Sequence, residues 1–384
     1  MNTESSRGLL YLMGCGLKDR QPEEALLQEL DPEELYRQAR RHSVTALVCT
    51  ALEGTAVFRQ AGPEIRQKFL DRRNQAICRA MLFDAERRAV SDRMEALGIW
   101  HVALKGSLLQ NLYPKYGSRE MADVDMLIDP AKRETARELF VSRGYRVESY
   151  GEDIHDVYIK APVYNFEIHD RLFQSCYPVF SEYYGGIRER LLPAEGRRFE
   201  LRFSPEDFYV FFEAHAYKHY HLGGTGVRTL GDQYILDHGM TGLDRAYVDR
   251  ELERLGILAY ARKSRSLAEK LFGGEAPRLE DLTGSEREAL DYCLGSNTYG
   301  TAANAMRNRL QDTQKDPGPI TGATKFRYLM GRLFPGRETI REVHPLIYRC
   351  PVLLPFYWVW RLAAKGLGHW RRNRTEWSRV KQAK

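Results

Sequence analysis

Asp123 and Asp125 stand two apart in the run Asp123-Val124-Asp125-Met126-Leu127-Ile128. On a strand, residues i and i+2 project from one face. The two carboxylates therefore converge with Leu127 behind them, while Val124, Met126 and Ile128 face the other way into a core. The same alternation in Tyr164-Asn165-Phe166-Glu167-Ile168-His169 puts Tyr164, Phe166 and Ile168 on the core side and Asn165, Glu167 and His169 opposite. If the two strands are neighbours, Glu167 joins the aspartates; a register slipped by one residue offers Asp170 instead. Three carboxylates around one point repel unless cations neutralise them, and hard oxygen donors favour Mg²⁺, or Mn²⁺ in its place. Upstream, Gly106-Ser107 ends a short apolar run and opens a helix-length segment. Unpaired backbone N–H groups at such a turn suit phosphate, and the missing Cβ permits close approach. The chemistry these residues suggest is that of a metal-dependent phosphate site.

A second group lies downstream, on helical sequence. His215 and His219 are four apart and share a helix face, and Arg228 and Asp232 repeat that spacing on the next segment. Three readings stand. With His169 they line a substrate pocket beside the sheet, or they form a buried hydrogen-bonded network tying two helices, or His215, His219 and Asp232 bind zinc. The zinc reading lacks the glutamate of an HExxH arrangement and a fixed third ligand.

The chain must supply a sheet to bring these residues together. Residues 1–98 read as helical. Pro22-Glu23-Glu24 and Asp31-Pro32-Glu33-Glu34 place proline and acids where helices begin, and Pro63 to Leu97 carries apolar residues at helical spacing. Residues 99–203 read as the α/β core. It holds strands at 99–104, 123–128, 145–150, 155–160, 163–170 and 198–202, with a helix over 131–142 closed by Gly144. Ser204-Pro205-Glu206-Asp207 is a helix-start signal with serine at the N-cap, proline at N1 and an acid at N3. It opens a helical domain over 204–313, with segments near 226–240, 244–271, 284–296 and 298–312. Residues 314–384 form an extension that begins with a Pro/Gly-rich linker over 314–324. The fold class is α+β: a small mixed sheet with flanking helices, between N-terminal helices and a C-terminal helical domain.

Composition narrows the setting. The 384 residues suffice for several cores, and an apolar fraction of 43% is that of a soluble globular protein. The net charge of +6 is local: residues 361–384 hold eight Lys/Arg and one acid, and the first 360 residues sum to −1. Trp358, Trp360, Trp370 and Trp377 lie in or beside this basic tail. Trp and Arg together suit an anionic membrane surface or RNA, and a solvated, disordered tail is the competing reading. The six cysteines are scattered and have no zinc spacing, which predicts reduced thiols in a cytoplasm. The N-terminus does not read as a signal peptide, and no apolar run approaches the roughly 18 residues of a membrane span. The expected location is cytoplasmic, with residues 361–384 allowing peripheral contact at the inner face of the membrane.

Leu104-Lys105-Gly106-Ser107-Leu108-Leu109, the run Tyr113…Arg119…Asp123-Val124-Asp125, Phe166-Glu167-Ile168-His169 and the pattern His215-x₃-His219…Arg228…Asp232 carry a resemblance. As a set they resemble the uncharacterised bacterial nucleotidyltransferase family NTP_transf_5, within the DNA polymerase β-type nucleotidyltransferase superfamily. The resemblance spans most of the chain. It implies transfer of an NMP from an NTP such as ATP to a hydroxyl of an acceptor, with release of pyrophosphate. Asp123 and Asp125 would hold two Mg²⁺ ions, which stabilise the attacking and leaving oxygens. Glu167 would complete the second metal position or act as general base. Gly106 and Ser107 would bind the β/γ-phosphates, Lys105 or Arg119 would offset the pyrophosphate charge, and His169, His215, His219, Arg228 and Asp232 would line the pocket. The acceptor is a small molecule, a saccharide, a protein or an RNA. Two features depart from the superfamily: residues 108–122 make a long spacer, and the third acid is Glu rather than Asp. The alternative is a non-catalytic nucleotide-binding or toxin-neutralising module that keeps the fold, in which Glu167 would point away from the aspartates.

Overall fold

Alternating apolar residues in short runs pair into one mixed sheet in this computed structural model, which describes residues 3–298, 300–312, 321–336, 340 and 345–360. The strands are β1 (His101–Ala103), β2 (Val124–Ile128), β3 (Arg146–Ser149), β4 (His155–Lys160), β5 (Tyr164–His169), β6 (Leu192–Pro193) and β7 (Glu200–Arg202). Their order is β3-β4-β5-β2-β1-β7-β6. β2 runs antiparallel to β1 and parallel to β5, and β1 runs parallel to β7. Helices flank this sheet, and the fold is α+β.

Val124, Met126, Ile128, Phe166 and Ile168 enter one core, as the alternation requires. Phe83, Val90 and Met94 of the helix Pro63–Ala96 cover them, together with Ala136, Leu139 and Phe140 of the helix Arg133–Ser142. The opposite face differs from a strand with one exposed side. All five residues of β2 are buried, and Leu127 packs with Val102, Leu201 and residues of the helix Pro205–Gly223. The acid-bearing face is therefore covered too, which lowers the dielectric around its carboxylates.

Local signals explain most boundaries. Asp31 caps the helix Pro32–Arg41 by accepting from the Glu33 N–H at 2.9 Å, and Ser204 accepts from the Asp207 N–H at 3.0 Å. Pro22-Glu23-Glu24 opens only the 3₁₀ turn Glu24–Leu26. The helix-length segment expected after Gly106 is shorter: the helix Lys105–Leu109 and the 3₁₀ turn Gln110–Leu112, then a loop to β2. Pro114 forces Tyr113 out of the helical region, to φ −71 and ψ 141. The single helix expected over 244–271 is two, Arg245–Arg254 and Leu258–Phe272, because Gly256 takes φ +71 and ends the first. The two-residue strand β6 went unforeseen, since so short a run carries no periodicity.

The chain divides into two compact units, residues 1–217 with 225–298 and residues 218–224 with 299–384. The first contains the whole sheet. In the second, Met306, Leu310 and Tyr328 form a core. The linker expected over 314–324 ends earlier, because Thr321 caps the helix Gly322–Leu333, and residues 314–320 lie outside the described residues. The basic tail 361–384 lies outside them as well. No described helix is long and apolar enough to cross a membrane.

Candidate active site

Register decides which acid accompanies the aspartates. In the parallel β2–β5 pair, Val124 stands opposite Phe166, Asp125 opposite Glu167 and Leu127 opposite His169. Glu167 is thus on the aspartate face. Asp170, just past β5, is held by Arg133 at 2.9 Å.

Asp125 is 3% exposed and has two nitrogen-bearing neighbours. Lys105 Nζ lies 3.4 Å from its Oδ2, and His169 Nε2 lies 3.1 Å from its Oδ1. Lys105 Nζ also donates to His215 Nε2 at 2.9 Å. An ammonium has no acceptor, so His215 receives this bond as a neutral imidazole. Burial alone would raise the Asp125 pKa; Lys105 and His169 outweigh it and hold the carboxyl well below the usual range. Asp123, directly before β2, moves the opposite way through burial and then the charge of Asp125. Glu167 is pushed up to about 8 by burial, then by Asp125 and Asp123. The cluster thus holds more carboxylate than its own cations neutralise, and this donor set fits a hard divalent cation.

The loop between the Gly-Ser turn and Asp123 is anchored on several sides. Arg119 donates to both oxygens of Asp232, Nε to Oδ1 at 2.8 Å and Nη2 to Oδ2 at 3.0 Å. Tyr113 adds its hydroxyl to Asp232 Oδ1 at 2.8 Å. Glu120 accepts from the Ala46 N–H at 3.0 Å and from Arg72 at 2.9 Å, and Arg228 donates to the Glu120 carbonyl at 3.0 Å. Arg119 therefore directs Nε and Nη2 at Asp232, Arg228 directs Nη1 at the Glu120 carbonyl, and Asp232 has both oxygens engaged. Gly106 and Ser107 sit within the helix Lys105–Leu109, where Ser107 is buried. A Cβ on Gly106 would meet Arg119 Nη1 at 3.3 Å, so the glycine lets that guanidinium approach. His219 belongs to segment 218–224 of the second unit.

His155 was not among the residues singled out from sequence. It opens β4, and the antiparallel β4–β5 pairing sets it directly opposite His169. His155 Nε2 lies 3.8 Å from Glu167 Oε2. Counting outward from the turn between β4 and β5 would have found it, because the Lys160–Tyr164 pair fixes the His155–His169 pair.

A family model described as an uncharacterised nucleotidyltransferase matches residues 28–273. No curated protein and no solved structure matches the chain.

Proposed function

The chain belongs to the uncharacterised nucleotidyltransferase family, and from that premise we propose Mg²⁺-dependent transfer of an NMP from an NTP to an acceptor hydroxyl. The hydroxyl oxygen bonds the α-phosphorus as the bond to pyrophosphate breaks, and the hydroxyl proton passes to Glu167 as general base or to water. The observation that carries this reading is the parallel β2–β5 register, with Glu167 beside Asp125 on the face that Asp123 shares.

Asp123, Asp125 and Glu167 are the residues to hold the cation. Bound Mg²⁺ supplies charge stabilisation at the attacking and leaving oxygens. Lys105, held between Asp125 and His215, offsets the pyrophosphate charge, and the backbone N–H groups of Gly106 and Ser107, in the first turn of the helix Lys105–Leu109, take the β/γ-phosphates. His169 steadies Asp125 through its 3.1 Å contact. Arg119 acts through its field, which favours the ionised form of Asp123, while Asp232 fixes its position.

The test incubates the protein with each labelled NTP, Mg²⁺ and a cell lysate, then locates the label and measures pyrophosphate. Label transfer is expected for one NTP, falling to background in Asp125→Ala and Glu167→Gln. Full Mg²⁺-dependent pyrophosphate release by Asp125→Ala overturns the assignment. NTP binding without label transfer supports a binding module instead.

A further inference from the structure

His155, Glu167 and His169 each offer one ligand atom, and these atoms lie within 4.8 Å of one another. We propose that the three residues form a second cation site beside the aspartate pair, one that takes a divalent first-row transition ion of the Zn²⁺ or Co²⁺ kind.

The donor set sets the metal class. Two imidazoles and one carboxylate suit zinc and its neighbours, whereas Mg²⁺ keeps to oxygen ligands and water. Three protein ligands also leave a coordination position open to water or substrate. The β-sheet fixes the backbone of all three: His155 stands opposite His169, and Val157 stands opposite Glu167.

A second observation comes from His169. Its Nε2 lies 3.1 Å from Asp125 Oδ1, while its Nδ1 is buried with no hydrogen-bond partner among the described residues. Donation from Nε2 to the carboxylate leaves the imidazole lone pair on Nδ1. A carboxylate that fixes the tautomer of a histidine is the usual support of a metal-ligating imidazole. Asp125 thus serves the first site as a ligand and the second as an orienter.

The ligand atoms, within 4.8 Å of one another, must close in by up to about 1.4 Å, since atoms about 2.1 Å from one Zn²⁺ stand about 3.4 Å apart at tetrahedral angles. The side chains of His155 and Glu167 are 27% and 26% exposed, which gives the ion a way in. The site shares Glu167 with the transferase carboxylates, so its role rests on that reading, but its occupancy does not.

The experiment uses the full chain, stripped with a chelator and free of nucleotide. Co²⁺ is followed by its visible ligand-field absorption and Zn²⁺ by calorimetry. At least one tightly held ion per chain is expected, with Mg²⁺ unable to displace Co²⁺ at equal concentration. His155→Ala and the more conservative His155→Gln should weaken Co²⁺ and Zn²⁺ by more than about tenfold, the lower end of what loss of a supporting partner costs. Electron paramagnetic resonance of the Cu²⁺-loaded wild-type chain counts bound nitrogens without any variant. Two are expected, and fewer overturn the proposal. So does wild-type affinity in both His155 variants, or displacement by equimolar Mg²⁺. Because nucleotide is absent, Co²⁺ binding that persists while label transfer fails sinks the transferase reading alone. Loss of Co²⁺ binding with Asp125-dependent transfer intact sinks this one alone.

Discussion

At the scale of single residues, the Arg119–Asp232 pair anchors the loop that leads to Asp123. Arg119 and Asp232 are 8% and 4% exposed and 113 residues apart in sequence. Burial works against the Arg119 charge, and Asp232 more than restores it. Removing one member of a buried pair strands the other, at a cost of about 3–5 kcal/mol. Asp232→Ala should therefore lower stability by about that much in urea unfolding, and a loss below about 1 kcal/mol would mean that Arg119 had found another partner. Sequence reading fared unevenly at this scale. The common face of Asp125 and Glu167 was legible because strand alternation is local. Arg119 read as a phosphate contact because nothing local names a partner 113 residues away. His155 was missed because it lies one strand over from the motif, and only the pairing brings it in.

At the scale of elements, the long spacer before Asp123 has a physical account. Its loop runs along the helix Pro63–Ala96, which gives it Arg72 to Glu120 at 2.9 Å, Asp84 to the Tyr116 hydroxyl at 2.7 Å and Arg79 to the Met121 carbonyl at 3.4 Å. Gly117 sits closest. Its φ is +79, and a Cβ there would lie 2.7 Å from both Cα and Cγ1 of Ile77. Gly117→Ala must pay about 1–2 kcal/mol for the left-handed conformation alone and then push the loop off the helix backbone. A fall in melting temperature is expected, together with a larger proportional loss of pyrophosphate release, because Asp123 moves with the loop. A wild-type melt and wild-type activity would refute the loop's role as a positioning device. The strands were legible here and the loop was not: apolar alternation announces a strand, whereas a loop stapled from outside has a sequence that reads as a weak helix.

At the scale of the whole molecule, a buried acid on the helix that covers the sheet makes stability depend on pH. Glu213, on the helix Pro205–Gly223, is fully buried, and Arg265 Nε approaches its Oε1 only to 3.8 Å. Burial pushes its carboxyl from 4.5 to about 8, Arg265 opposing and Asp237 adding. Between those values the folded chain holds a proton that the unfolded chain has released. Stability falls with pH wherever the folded state binds more protons, so the contribution of Glu213 is present below about pH 4.5 and is lost as pH rises through about 8. His42 acts with the opposite sign. Burial, then Arg41, lowers it from 6.5 to about 4, so its contribution is lost as pH falls through that window. The acids of the candidate site also titrate, and a cation bound there would alter them, which makes the wild-type profile alone ambiguous. The difference between wild type and Glu213→Gln removes that common background. Measured by urea unfolding in steps from pH 4.5 to 8.5, the stability of wild type relative to Glu213→Gln should decline steadily across the range, and His42→Gln should leave that decline unchanged. A flat difference curve would mean that Glu213 is ionised when folded and that Arg265 compensates its charge fully despite the 3.8 Å gap.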